Sequence, residues 1–295
     1  MKLVALTYGT EGDTRPMAVV CRALMDAGHD VILLADGGTL GRARDFGVPH
    51  AALAGNIRET LQQGIASAVA GKNSLNVTAQ AMARIANENA DAWMRQVLEV
   101  AAGSDGLIVA GLAAFIGFSA AEKLAVPVIG AGMIPLTPTS AFPSPFLPPR
   151  SMPRWLNPFS YGLVAEVLWR SFRKATNAAR AKVGLPPGRK IWLGHSNHGG
   201  SGTTHSAARA GVPSIVLPFA ADQFFWAEQL RRVGIAPAAA SGPKVTAHIL
   251  SRAIDSAQTA EMRERASAVG ATMRTEDGLA KAVDRIHALR ARSLA

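Results

Sequence analysis

The chain has 295 residues, 48% hydrophobic and 18% charged, which suffices for one large core or two medium ones and is ordinary for a soluble enzyme rich in Ala and Gly. Its single cysteine, Cys21, excludes an intramolecular disulfide and fits a reducing compartment. The net charge of +10 is concentrated, because nine Lys or Arg and one acid, Glu166, lie between Arg150 and Lys190. That stretch reads first as a solvated helix face and second as a surface for anionic lipid heads or a phosphorylated partner; no nucleic-acid module accompanies it.

In chain order, Leu3–Thr7 is an apolar run of strand length, too short and too quickly polar for a signal peptide. A Gly-rich turn follows at Gly9–Asp13, and Pro16 is expected to open a helix reaching about Ala27. Cys21 falls in that helix with no His or acid beside it, so it reads as a buried structural thiol. Val31–Ala35 is the next strand, and Gly47-Val48-Pro49 is a turn before a short segment. Asn76–Ala102 has helical period, Leu107–Ala110 is a strand, Leu112–Leu124 a helix and Val126–Gly130 a strand. Strands separated by helices predict a parallel sheet covered on both faces.

The uncharged stretch Leu124–Pro149 is long enough to span a bilayer, but its seven prolines exclude a spanning helix. From Pro135 to Pro158 the chain predicts a long loop in which Phe142, Phe146 and Trp155 line an apolar pocket. A helix then spans about Ser160–Val183, with an expected apolar stripe of Leu163, Val164, Val167, Leu168 and Phe172. Gly184-Leu185-Pro186-Pro187-Gly188 ends it and marks the boundary between residues 1–187 and 188–295. Beyond it one clear strand, Ser214–Leu217, stands among helices, too few strands for a complete parallel domain.

Two motifs carry chemistry. Gly9-Thr10-Glu11-Gly12-Asp13 sits at the carboxyl end of the first strand, where doubly wound sheets bind ligands. It lacks the dinucleotide G-x-G-x-x-G spacing, which removes the main support for nicotinamide or flavin binding. Two readings of Asp13 stand level: a base that takes the proton of an acceptor hydroxyl, or a helix cap. The second motif, His198-Gly199-Gly200-Ser201-Gly202-Thr203-Thr204, is a Gly-rich turn feeding a helix N-terminus. Such a turn makes a nest of N–H groups for phosphate oxygens. After Gly211-Val212-Pro213, the pair Asp222-Gln223 suits sugar hydroxyls. His195, His198 and His205 have no Cys or acid at ligand spacing, so no metal site is expected.

Taken together, these motifs resemble the sterol and antibiotic-type glycosyltransferases of the GT-B fold, in the UDP-glycosyltransferase superfamily. Ala27-Gly28-His29-Asp30-Val31 and residues 149–187 share the resemblance. It implies an α/β, GT-B-like chain: a Rossmann-like acceptor-binding domain (1–187) and an incomplete Rossmann-like nucleotide-sugar domain (188–295). It implies an inverting, metal-independent hexosyltransferase using a UDP- or dTDP-sugar as co-substrate, with no cofactor and with a hydroxylated hydrophobic acceptor. Asp13 then matches the base, with Gly9, Thr10 and Gly12 beside it. His198 matches the diphosphate contact, Gly200, Ser201, Gly202 and Thr203 the phosphate turn, and Asp222 and Gln223 the sugar-binding pair. The last helix, near Asp277–Arg292, is expected to pack back on the first domain. A cytoplasmic setting follows, with peripheral contact at the anionic inner face of the membrane and self-association through exposed sheet edges as expected partnerships, and nucleic acid excluded.

One departure qualifies the resemblance. The Gly-Gly motif follows the 184–188 boundary so soon that one mononucleotide-binding half, on the order of 100 residues, is expected to be absent. The alternative function is therefore a catalytically impaired relative that binds a lipid-like metabolite without turnover.

Overall fold

The computed structural model describes residues 1–62, 74–132, 134, 138–148, 151–188, 202–216, 223–238 and 246–293. The chain divides into two compact units. The first comprises Met1–Met133, Ala165–Ser196 and Gly278–Ala295, and the second Ile134–Val164 and Asn197–Asp277. In chain order the division is thus not one cut: the segment 134–164 belongs with 197–277, and the last helix returns to the first unit.

The first unit is built on five parallel strands, β1 (Lys2–Leu6), β2 (Asp30–Asp36), β3 (His50–Leu53), β4 (Gly106–Val109) and β5 (Val128–Gly130), in the order β3-β2-β1-β4-β5. Leu3 pairs with Val31 on one side and Gly106 on the other, so β1 is central. A strand covered on both faces must be apolar along its whole length, and residues 3–6 are all buried. Alternation then sends its side chains to two cores. Val4, Leu6 and Tyr8 face one core, together with Trp93 of α3 (Ser74–Val100) and Phe115 of α4 (Ala114–Leu124). Leu3 and Ala5 face the other, with Met17 and Leu24 of α1 (Glu11–Asp26). Each large apolar side chain so buried contributes about 1.5–3 kcal/mol. The short α2 (Gly41–Asp45) links β2 to β3, and a further helix is entered at Ile57.

Several expectations need correction. Pro16 lies inside α1 rather than at its start. The helix begins earlier because a capping box nucleates it at Thr10, and Pro16 is accommodated with one intrahelical bond fewer. The short segment after Gly47-Val48-Pro49 is strand β3, pairing on β2. The stripe expected on α5 (Asn157–Lys182) splits between two faces: Trp169, Phe172 and Ala179 are buried in the first unit's core, with Leu168 packed against them, whereas Leu163 and Val167 are exposed. Buried Arg180 anchors the end of α5. Its guanidinium donates to both carboxylate oxygens of Glu122 at 2.8 and 2.9 Å, to Ser119 Oγ at 3.1 Å and to Pro186 O at 2.8 Å.

The second unit is helical among its described residues: α6 (Gly202–Ala210), α7 (Gln223–Arg232), α8 (Ala247–Ala257) and α9 (Ala260–Thr275). Its small core joins Ala208, Leu230, Ile235 and Ala266. The strand expected at 214–217 forms no ladder in its described part. Ser214 N donates to Ile235 O at 3.0 Å, and no neighbouring strand is present among the described residues to extend that pairing. The apolar pocket expected from the Pro-rich loop is also not built as foreseen: Phe142 packs edge-to-face on Phe225 at 4.9 Å, while Phe146 and Trp155 are exposed. The final helix, α10 (Gly278–Ser293), packs on α1 in the first unit, with Ile286 in the core beside β1 and β2, as the family resemblance led us to expect.

Candidate active site

The strand order reverses between β1 and β4, and in open parallel sheets the crevice beyond the carboxyl ends at such a reversal is where ligands bind. The chain leaving β1 there runs Thr7-Tyr8-Gly9-Thr10 and enters α1. Thr10 caps the helix: its hydroxyl accepts from Gly12 N at 3.3 Å, and its own N–H donates to Asp13 Oδ2 at 2.8 Å. The Asp13 carboxylate, partly exposed, is thereby held over the mouth of the turn at the positive end of α1. Gly9 leaves the room it needs, since a Cβ at residue 9 would lie 2.2 Å from Asp13 Oδ2. The structure therefore brings Gly9, Thr10, Gly12 and Asp13 together. The capping bonds orient the carboxylate without burying it.

Beneath this turn lies a buried polar network that the sequence reading missed. Tyr8 Oη donates to Asp36 Oδ2 at 2.9 Å, and the fully buried Asp36 also accepts from Ile57 N at 3.0 Å and Gly38 N at 2.9 Å. One carboxylate thus ties together the chain segments after β1, β2 and β3. The Tyr8 ring lies 4.4 Å from that of Trp93, whose indole N–H donates to Ala54 O at 2.8 Å. Burial, reinforced by the bond and charge of Asp36, pushes the Tyr8 phenol far above its ordinary range, so it stays protonated and keeps donating. The signal was present as an acid closing the apolar run Val31–Ala35, which is otherwise costly to bury.

On the β4 side, Gly111 adopts φ +59°, and a Cβ there would sit 2.5 Å from Tyr8 O. Leu112 N donates to that same carbonyl at 2.8 Å. Thr7 Oγ1, fully buried at the carboxyl end of β1, has no hydrogen-bond partner among the described residues.

Of the residues expected to hold a donor, His198, Gly200, Ser201 and Asp222 lie outside the described residues, as does any placement of Asp13 relative to His198. Gly202 and Thr203 are the first residues of α6, so the Gly-rich run does feed a helix N-terminus. Gln223 is the first residue of α7 and is exposed. Among the described residues no group of three or more His, Cys, Asp or Glu is placed to hold a metal ion, and no helix is long and apolar enough to cross a membrane.

Comparison with known proteins agrees with this architecture. The family described as "Erythromycin biosynthesis protein CIII-like, C-terminal domain" matches residues 193–289. The vancomycin aglycone glucosyltransferase of Amycolatopsis orientalis is 24% identical over 406 aligned positions, covering 96% of each chain. A sterol 3-beta-glucosyltransferase of Cryptococcus neoformans is 38% identical over 92 residues, covering 31% of this chain and 6% of that protein. The glycosyltransferase VinC, solved in complex with dTDP, superposes with a TM-score of 0.65 at 12% identity, covering 99% of this chain and all (100%) of the other. The vancomycin-enzyme alignment also measures the shortening: 406 aligned positions against 295 residues leave at least 111 with nothing opposite in this chain. With 96% of each chain inside the match, that gap is internal. The chain thus has the GT-B fold of that solved glycosyltransferase, and its residues 193–289 match the erythromycin CIII-like C-terminal domain.

Proposed function

We propose that the chain transfers a hexose from a UDP- or dTDP-sugar to a hydroxyl of a hydrophobic small molecule or lipid, by direct displacement with inversion and without a metal. The observation that carries this reading is the Asp13 carboxylate, oriented by Thr10 at the carboxyl end of the central strand and at the mouth of the switch-point turn. In the proposed reaction Asp13 takes the acceptor's hydroxyl proton as the oxygen attacks the anomeric carbon, and the nucleoside diphosphate leaves. The N-terminus of α6, entered through Gly200, Ser201, Gly202 and Thr203, offers N–H groups to the departing phosphate charge, with His198 as a further donor. Asp222 and Gln223 are assigned to the sugar hydroxyls. No cofactor is required by this scheme.

The internal gap favours a second reading, in which the chain binds an acceptor-like metabolite and turns over slowly or not at all. Base and ribose recognition are the interactions that a missing half would remove. Losing about 3 kcal/mol of donor binding weakens affinity roughly a hundredfold. Titration calorimetry with UDP-glucose and dTDP-glucose, beside mass-spectrometric product detection over a panel of hydroxylated hydrophobic acceptors, tests both readings. The transferase reading expects measurable, weak donor binding and a glycosylated product of inverted anomeric configuration. Acceptor binding with no product assigns the chain to the second reading, and binding of neither donor nor acceptor overturns both.

A further inference from the structure

The N-terminal half of α5 and the turn before it expose an unusual amount of apolar surface. Trp155 is 71% exposed, Phe159 70%, Leu163 59% and Val167 56%. They recur every four residues, Trp155 from the short 3₁₀ turn Arg154–Leu156 and the others from the helix itself. At 3.6 residues per turn, steps of four drift by about 40°, so the four form one continuous band about 120° wide. Single exposed apolar residues are ordinary, but a contiguous band with a Trp at its tip marks an interaction surface.

The next two turns of the same helix change character. Arg170, Arg173 and Lys174 are all exposed and continue the band towards the helix C-terminus. Arg170 is paired with Glu166 at 2.8 Å, whereas Arg173, Lys174 and Arg154 form no ion pair among the described residues. The band is therefore segregated along its length, apolar first and cationic after. The helical rise puts about 10 Å between Leu163 and Arg170.

We propose that this band is a docking surface for an anionic phospholipid bilayer. Phe159, Leu163 and Val167 enter the boundary between headgroups and acyl chains, Trp155 lies at the interface its amphipathic ring prefers, and Arg170, Arg173 and Lys174 meet the lipid phosphates. The charge selects the occupant. A second copy of the chain presents the same cations, whereas an anionic membrane offers apolar depth and negative charge together.

The test is co-sedimentation of the full chain with vesicles of phosphatidylcholine alone and of phosphatidylcholine mixed with phosphatidylglycerol, at low and high salt. Binding is expected to the mixed vesicles at low salt, weakening at high salt and on the neutral vesicles. Arg173→Gln with Lys174→Gln is expected to lower partitioning about 30-fold, two charges at the membrane surface being lost. Trp155→Ser with Phe159→Ser is expected to lower it at least tenfold. All four side chains are exposed, so circular dichroism of the variants is expected to match the parent, and the charge pair stands alone should the serine pair misfold. No binding at low salt, or binding that the charge pair leaves unchanged, overturns the proposal. So does self-association without vesicles that the serine pair abolishes, which would give the face to a second copy.

Discussion

Replacing Tyr8 by Phe isolates the buried network under the β1 turn. The substitution keeps the ring against Trp93 and removes only the hydroxyl that donates to Asp36 at 2.9 Å. A hydrogen bond to a buried charged group contributes about 1.5–3 kcal/mol, so a loss of about 2 kcal/mol is expected at neutral pH. The alkaline behaviour gives a second, independent number. The phenol's folded-state pKa is raised above its ordinary 10.0, so the folded protein keeps a proton that the unfolded chain releases. Its contribution is therefore complete below pH 10 and is lost as pH rises beyond it, at about 1.4 kcal/mol per pH unit. Tyr161 and Cys21, both pushed up to about 12, act in the same direction but are common to both proteins and cancel in the difference. Urea unfolding followed by far-UV circular dichroism at pH 7, 10 and 11 reads both quantities, provided the m values agree. A cost below about 0.5 kcal/mol at neutral pH, or the same alkaline loss in parent and variant, would refute the assigned network.

Asp13→Asn keeps an oxygen to accept from Thr10 N but cannot take a proton. It is expected to leave stability within about 0.5 kcal/mol while lowering any transfer rate about 10²–10⁴-fold; Asp13→Ala additionally costs about 1 kcal/mol as the carboxylate that accepts from Thr10 N in the capping box is lost. An asparagine variant with full activity rejects Asp13 as the base. Gly111→Ala forces a side chain into φ +59° and to within 2.5 Å of Tyr8 O, so a destabilisation of about 2–4 kcal/mol is expected in the same urea assay. Cys21, held protonated by burial up to about pH 12, is expected to resist thiol reagents at pH 8 in the folded protein and to react once unfolded. Rapid labelling of the native chain would contradict its placement.

The central strands were legible because a strand buried on both faces has no choice but an unbroken apolar run, as residues 3–6 show. The Gly9–Asp13 turn was legible because its glycines and acid are short-range signals, and the pairing of Thr10 with Asp13 is a local capping pattern. Two features were not legible for a common reason, namely that they depend on distant partners. The bond from Tyr8 to Asp36 joins residues 28 apart in sequence, and nothing local to either announces the other. On α5, periodicity counted Leu163 and Phe172 as one stripe, yet only packing decides which apolar positions are covered, and it covered Phe172 and left Leu163 exposed. β3, only four residues long and with a single buried residue, Leu53, gave too little pattern to be named a strand. Ser214–Val216 differ in the opposite sense, for a good local strand pattern there forms no ladder among the described residues.

The return of α10 to the first unit has a consequence for how the protein is made. Ile286 closes a core that includes Leu3, so β1, once out of the ribosome, waits for the residues up to 286 before its second face is fully covered. At roughly 5–20 residues per second that wait is on the order of 15–60 s, during which Leu3, Ala5 and the inner face of α1 are only partly shielded. The second unit, threaded between segments of the first, emerges and folds within the same interval. Cutting the chain before Gly278 would therefore not trim a tail from the second unit but would leave the first permanently at its unfinished, nascent stage.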